Sequence, residues 1–254
     1  MPGRDEVPSP PPPSRGPLVE RLRGGLIVSC QAGAGHPLDD PRSISALARC
    51  AERGGAVAVR VEGERNVAAV RSAVSLPVMG IAKVRLERSA RPFITPGFED
   101  CRRLVAAGAA MVAVEATRDN RPDPREFPRI CARVHDDLGV PVMADVSTVE
   151  EGLAASAAGA DLVATTLSGY TSSSQGRPAP DLELVEALSA KGIRPVLEGR
   201  VRTPDDVARA FAAGAWSVVV GTAITDPEAL TRRFAAAAPG SVRTARRDPN
   251  TPRS

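Results

Sequence analysis

Pro77-Val78-Met79-Gly80-Ile81-Ala82-Lys83 is the stretch whose reading decides the fold. Within it Val78–Ala82 is a short apolar run without polar alternation, the pattern of a strand covered on both faces in a parallel sheet flanked by helices. Seven further runs share that character: Gly25–Cys30, Ala56–Val61, Met111–Glu115, Val140–Ala144, Leu162–Thr165, Pro195–Glu198 and Trp216–Val220. Amphipathic stretches rich in Ala, Leu and Arg alternate with them, near residues 42–53, 64–73, 98–107, 125–138, 148–158, 181–190, 204–213 and 227–236. Two of these helices announce their starts, Ser147-Thr148-Val149-Glu150 and Thr203-Pro204-Asp205-Asp206, where a hydroxyl stands before an acidic first turn. Gly108, Gly139, Gly159, Gly192 and Gly214 sit where left-handed helix ends belong. Eight strand-then-helix units predict an α/β chain folded as a single (β/α)8 TIM barrel. A doubly wound open sheet is the alternative, but its G-x-G-x-x-G turn is absent after the first strand.

Composition sets the limits. The chain has 254 residues, 43% of them hydrophobic and only 3% aromatic, so the core must be built from Ala, Val, Leu and Ile. Residues 1–18 are proline-rich and polar and read as a disordered leader; residues 19–236 hold the barrel; residues 237–254 read as a disordered basic tail. The net charge of +3 belongs to the ends, with four arginines against three acids in residues 1–23 and four against one in residues 237–254. The folded part is therefore near neutral, without the basic face a nucleic-acid role requires. No apolar run reaches the roughly 20 residues that span a bilayer, so no membrane role is expected. Four widely spaced cysteines, Cys30, Cys50, Cys101 and Cys131, point to reduced thiols and a cytoplasmic setting. Sequence does not fix the oligomeric state; a homodimer is compatible with it.

Of the 33 basic residues only Lys83 and Lys191 are lysines. Arginine stays protonated, whereas a desolvated lysine can lose its proton and serve as base or nucleophile. Barrel chemistry sits at the C-terminal ends of the strands, and there the chain is polar. In strand order those ends carry Ser29-Cys30-Gln31, Arg60, Lys83, Glu115, Asp145, Thr165-Thr166, Glu198-Gly199-Arg200 and Gly221-Thr222. Charges aimed into one mouth shift one another's pKa values, as acid–base sites require. A base at neutral pH needs Lys83 brought down from about 10.4, which burial can supply; imine formation is the other use of such a lysine. Glycine turns after strands seven and eight suit a phosphate. Ser168–Ser172, with the only tyrosine, Tyr170, reads as a surface loop or a substrate lid. His36 and His135 give little support to a histidine-centred mechanism, and no spacing suggests a metal site.

These residues resemble a known family. Ser29-Cys30-Gln31-Ala32, Leu76–Lys83, Phe93-Ile94-Thr95-Pro96, Met143–Thr148, Thr165–Thr171, Glu198–Pro204 and Val220–Thr225 are similar to N-acetylmannosamine-6-phosphate 2-epimerases over about residues 22–236. The resemblance implies epimerisation at C2 between N-acetylmannosamine 6-phosphate and N-acetylglucosamine 6-phosphate, in sialic acid catabolism, with no metal or other cofactor. It implies Lys83 as catalytic base and Glu198 as its partner carboxylate. Gln31, Arg60, Glu115, Asp145, Thr166 and Tyr170 are then substrate-binding, and Gly199, Arg200, Gly221 and Thr222 phosphate-binding. Two positions depart from the family: Glu115 where aspartate is common, and Asp226 where many members carry arginine. Another phosphosugar isomerase, a Schiff-base lyase and a non-catalytic phosphosugar-binding barrel are the alternatives.

Overall fold

The computed structural model describes residues 15–85, 91–177 and 179–239. Eight parallel strands close into a barrel: β1 (Leu26–Cys30), β2 (Ala58–Glu62), β3 (Val78–Ile81), β6 (Met111–Glu115), β7 (Val142–Asp145), β8 (Leu162–Ala164), β9 (Pro195–Glu198) and β10 (Ser217–Val220). They lie in chain order, and β10 returns to β1 with Leu26 opposite Val218. Between β3 and β6 is a small antiparallel pair absent from the sequence reading, β4 (Lys83–Val84) and β5 (Phe93–Ile94).

Each wall helix follows its strand: α2 (Pro41–Arg53), α3 (Glu64–Ala73), α4 (Phe98–Ala106), α5 (Glu126–Arg133), α6 (Val149–Ala157), α7 (Leu182–Ser189) and α8 (Pro204–Ala212). The helix expected over 125–138 ends as a π-helical turn, Val134–Leu138. Both expected caps form. Thr148 accepts the N–H of Glu151 at 3.2 Å, and Thr203 and Asp206 bond each other's backbone N–H at 3.1 and 3.0 Å. The five glycines expected at helix ends all have positive φ. After β10 come a short extra helix, α9 (Thr222–Thr225), and α10 (Pro227–Ala235), which buries none of its own side chains.

The expected leader lies outside the described residues as far as residue 14, as does the tail from residue 240. Its boundary at residue 18 needs correction, because α1 (Arg15–Arg21) begins inside it. Val19 and Leu22 are buried with the barrel-interior residues, and the Trp216 indole donates to the Val19 carbonyl at 3.0 Å. Their burial ties α1 to the barrel.

Two apolar layers hold the barrel. Valine, leucine and isoleucine fill the space between strands and helices, while Ile27, Ala58, Met79, Met111, Met143, Leu162 and Val196 fill the interior. Three of the four methionines are thus inside, where a flexible side chain replaces the absent aromatics.

Candidate active site

Side chains alternate in and out along a strand, so the interior residues mark which positions face the axis. Continuing that alternation to each C-terminal end gives Ile27-Ser29-Gln31, Ala58-Arg60-Glu62, Met79-Ile81-Lys83 and Met111-Ala113-Glu115. The remaining strands give Met143-Asp145, Leu162-Ala164-Thr166, Val196-Glu198 and Val219-Gly221. Every strand is apolar low in the barrel, and its inward register leads to a polar residue or a glycine at the mouth.

Arg60 joins two of the carboxylates. Its Nη1 and Nη2 donate to Asp145 at 3.0 and 2.6 Å, and Nη1 also reaches Glu198 Oε2 at 2.8 Å. Arg60 was expected to hold substrate. It is instead 1% exposed, with both terminal nitrogens spent on protein carboxylates, so its place is to set Asp145 and Glu198. Burial works against its charge, but Asp145 and then Glu198 more than offset this and keep it protonated. Asp145 also accepts from the Thr166 hydroxyl at 2.6 Å.

Two buried carboxylates share one guanidinium, so the cluster carries an excess negative charge that is costly to desolvate. Burial raises the Glu198 carboxyl from 4.5 to about 7; Arg60 opposes this, Asp145 adds to it, and Lys83 opposes it. A carboxyl raised on folding stabilises the fold fully below its unfolded value, and that contribution is lost as pH rises through about 7. Between pH 5.5 and 8 this amounts to about 2 kcal/mol. Glu198→Gln is therefore expected to remove that much of the decline in stability over this range, measured by urea unfolding. An unchanged pH dependence in the variant refutes the assignment.

Lys83 is less enclosed than expected. Its side chain is 32% exposed and its ammonium lies 3.4 Å from Glu62 Oε2, a partner the sequence reading had not paired with it. Lys83 and Glu198 line one cavity of about 410 Å³ at the barrel mouth, together with Gln31, Thr166, Tyr170, Gly199, Arg200, Gly221 and Thr222. Arg60, Asp145 and Glu115 are not among its walls. A groove of about 830 Å³ opens beside it and shares Lys83.

One side of the cavity is formed by the last two strand ends. Gly199 and Arg200 both have positive φ, 111° and 58°, which folds the chain back sharply after β9. Gly169 comes close to the Arg200 guanidinium, which a Cβ there would meet at 2.5 Å. Arg200 donates to the Ser168 carbonyl at 3.1 Å and lies 5.3 Å from the centre of the Tyr170 ring. Tyr170 is half exposed at the rim. Gly221 precedes α9, whose Thr225 hydroxyl anchors on the Ser29 carbonyl at 2.8 Å. Asp226 accepts the N–H of Ala229 at 2.8 Å and so caps α10.

Glu115 was also expected to bind substrate. It is fully buried and bound by Arg91 through both oxygens, at 3.0 and 2.8 Å, with further bonds from Asn120, Thr117 and the Ile94 N–H. Sequence reasoning missed Arg91, and it noted Glu62 and Thr95 without giving either a role. A fully buried Glu115 demands a cation, but among 31 arginines sequence does not say which. Burial pushes the Cys30, Cys101 and Cys131 thiols up to about 12, which makes them poor nucleophiles. Among the described residues no cluster of His, Cys, Asp or Glu is arranged to hold a metal, and no helix is long and apolar enough to cross a membrane.

Fold and site together define a (β/α)8-barrel enzyme equipped for acid–base chemistry. The family model described as "Putative N-acetylmannosamine-6-phosphate epimerase" matches residues 44–239. Relatives named "Putative N-acetylmannosamine-6-phosphate 2-epimerase" include one from Caldanaerobacter subterraneus subsp. tengcongensis, 44% identical over 85% of this chain and 92% of its own length. Another, from Cutibacterium acnes, is 46% identical over 85% of this chain and 95% of its own. The solved N-acetylmannosamine-6-phosphate 2-epimerase from Clostridium perfringens superposes with a TM-score of 0.81 at 36% identity, covering 87% of this chain and 96% of that one. The chain belongs to the N-acetylmannosamine-6-phosphate epimerase family.

Proposed function

We propose that the protein interconverts N-acetylmannosamine 6-phosphate and N-acetylglucosamine 6-phosphate by removing and returning the proton at C2, with Lys83 and Glu198 handling that proton. The observation that carries this reading is that Lys83 and Glu198, from opposite parts of the barrel wall, line the same cavity. The C2 proton is labile only beside a C1 aldehyde, so the sugar reacts in its open-chain form. Lys83 takes the proton from one face. A carboxylic acid raised to about 7 keeps a proton to return from the other, the matching of pKa to task that general acid–base catalysis needs.

The remaining lining residues divide by chemistry. Gln31, Thr166 and Tyr170 face the sugar, and the Gln31 side-chain oxygen is buried without a protein partner, which suits a substrate hydroxyl or amide N–H. Gly199, Arg200, Gly221 and Thr222 receive the phosphate through backbone N–H groups and the Arg200 charge. Asp226 also lines the cavity, but its carboxylate accepts the Ala229 N–H at the start of α10 and lies 3.8 Å from His36, contacts that lessen the repulsion it would exert on a phosphate. The cysteines, none of them in a disulfide, fit a cytoplasmic setting.

The test is turnover in D2O, followed by NMR. Epimer formed from N-acetylmannosamine 6-phosphate is expected to carry deuterium at C2, because both carriers exchange protons with solvent through the open mouth. Failure to form an epimer from any N-acetylhexosamine 6-phosphate would sink the proposal.

A further inference from the structure

The ladder that ties β3 to its neighbours stops at Ile81, so the barrel wall does not itself hold the backbone of Lys83. That backbone is held from the other side of the hairpin. Lys83 pairs with Ile94, and Thr95 donates its N–H to the Ala82 carbonyl at 2.6 Å while its hydroxyl accepts the Ala82 N–H at 3.1 Å. Thr95 does this at φ 49°, a conformation that a β-branched residue keeps only when its surroundings over-determine it.

Those surroundings lead to Glu115. The Ile94 N–H, directly across from Lys83, donates to Glu115 Oε2 at 3.2 Å, and Arg91, three residues earlier, grips both Glu115 oxygens. Arg91 also donates to the Tyr170 carbonyl at 3.3 Å, so the same carboxylate joins the Lys83 hairpin to the loop at the cavity rim. With donors from Arg91, Ile94, Thr117 and Asn120, the lone pairs of Glu115 are used up inside the protein. The geometry points to Glu115 as a positioning residue for Lys83, acting through the β4–β5 hairpin with Arg91 as its counter-ion. Aspartate at this place would fall short by about 1.5 Å and could not hold both the Arg91 guanidinium and the Ile94 N–H.

This inference rests on Lys83 being the base, and its test is chosen to fail separately. With two lysines in the chain, ¹³C-lysine labelling gives two side-chain signals, assigned by Lys191→Arg. In Glu115→Asp the Lys83 signal is expected to shift while that of Lys191 stays. kcat should fall about 10- to 100-fold with KM held within about 3-fold, since a misplacement near 1 Å costs rate rather than binding. Arg91→Ala should act in the same direction, and it carries the same readouts if Glu115→Asp does not fold. An unmoved Lys83 signal with unchanged kcat in a folded variant overturns the proposal. So does a raised KM with kcat intact, which would return Glu115 to substrate binding. Turnover surviving in Lys83→Arg would instead overturn the assignment of the base, and the shift of the Lys83 signal would still report the link.

Discussion

Lys83→Arg is expected to lose turnover by at least about 10³-fold while the barrel stays folded. Arginine keeps the positive charge and can keep the contact with Glu62, but it does not release a proton at any pH the fold survives. Because a third of the Lys83 side chain is exposed, the longer guanidinium has room to turn outward, and the melting temperature should stay within about 2 °C, as for a surface substitution. Lys191→Arg supplies the control, since Lys191 is exposed on the turn between α7 and β9, before the N-terminal end of that strand and opposite the mouth, and does not line the cavity. NMR of the sugar anomers measures both variants. Turnover within tenfold of the parent would refute Lys83 as the base, and equal losses at Lys83 and Lys191 would point to a general effect of removing lysine.

Arg60→Leu should give the largest loss of stability, about 3–5 kcal/mol, together with loss of activity. The cost comes from what remains: Asp145 with no exposure and Glu198 with 13%, both deprived of their cation. Removing the charges as a set should reverse most of it. In Arg60→Leu/Asp145→Asn/Glu198→Gln no buried charge is left unpaired, so stability should return toward the parent while turnover does not. Urea unfolding and the epimerase assay, run on both variants, separate the two effects. Unfolding of Arg60→Leu within 1 kcal/mol of the parent would show that the guanidinium is not needed to hold the carboxylates in the fold.

Most of the barrel was legible because burial on both faces leaves a plain mark, as in Val78–Ile81 or Met111–Val114, where nothing polar interrupts the strand. The mouth was legible for a related reason, since a charged residue ending an otherwise apolar inward register, such as Glu198 after Val196, stands out. What the sequence hid were partners and depths. Arg60 and Lys83 both read as charged strand ends in the sequence, yet Arg60 lies inside β2 and is buried, while Lys83 lies two residues past the end of β3 and reaches the cavity wall. That difference depends on where each strand's ladder stops, which composition does not encode. The β4–β5 hairpin escaped because two-residue strands carry too little pattern to read, and the φ of Thr95 has no residue signature at all. The start of α1 was hidden by the prolines before it, although Leu18-Val19 and Leu22 already had helical spacing.

The seal at the lower end of the barrel has a consequence for how the chain is made. The Trp216 indole and the Val19 carbonyl it binds are 197 residues apart, and β1 likewise waits for β10 as its second neighbour. During synthesis the first helix and first strand therefore leave the ribosome long before their partners exist. Units in the middle can pair as they emerge, but closure at both termini is the last event, and it carries the largest loop-closure entropy of any contact described here. Until Val220 has been made, an apolar strand edge and the buried face of α1 stand open to other chains, so the interval between first strand and last is when the nascent protein is most exposed to misassembly.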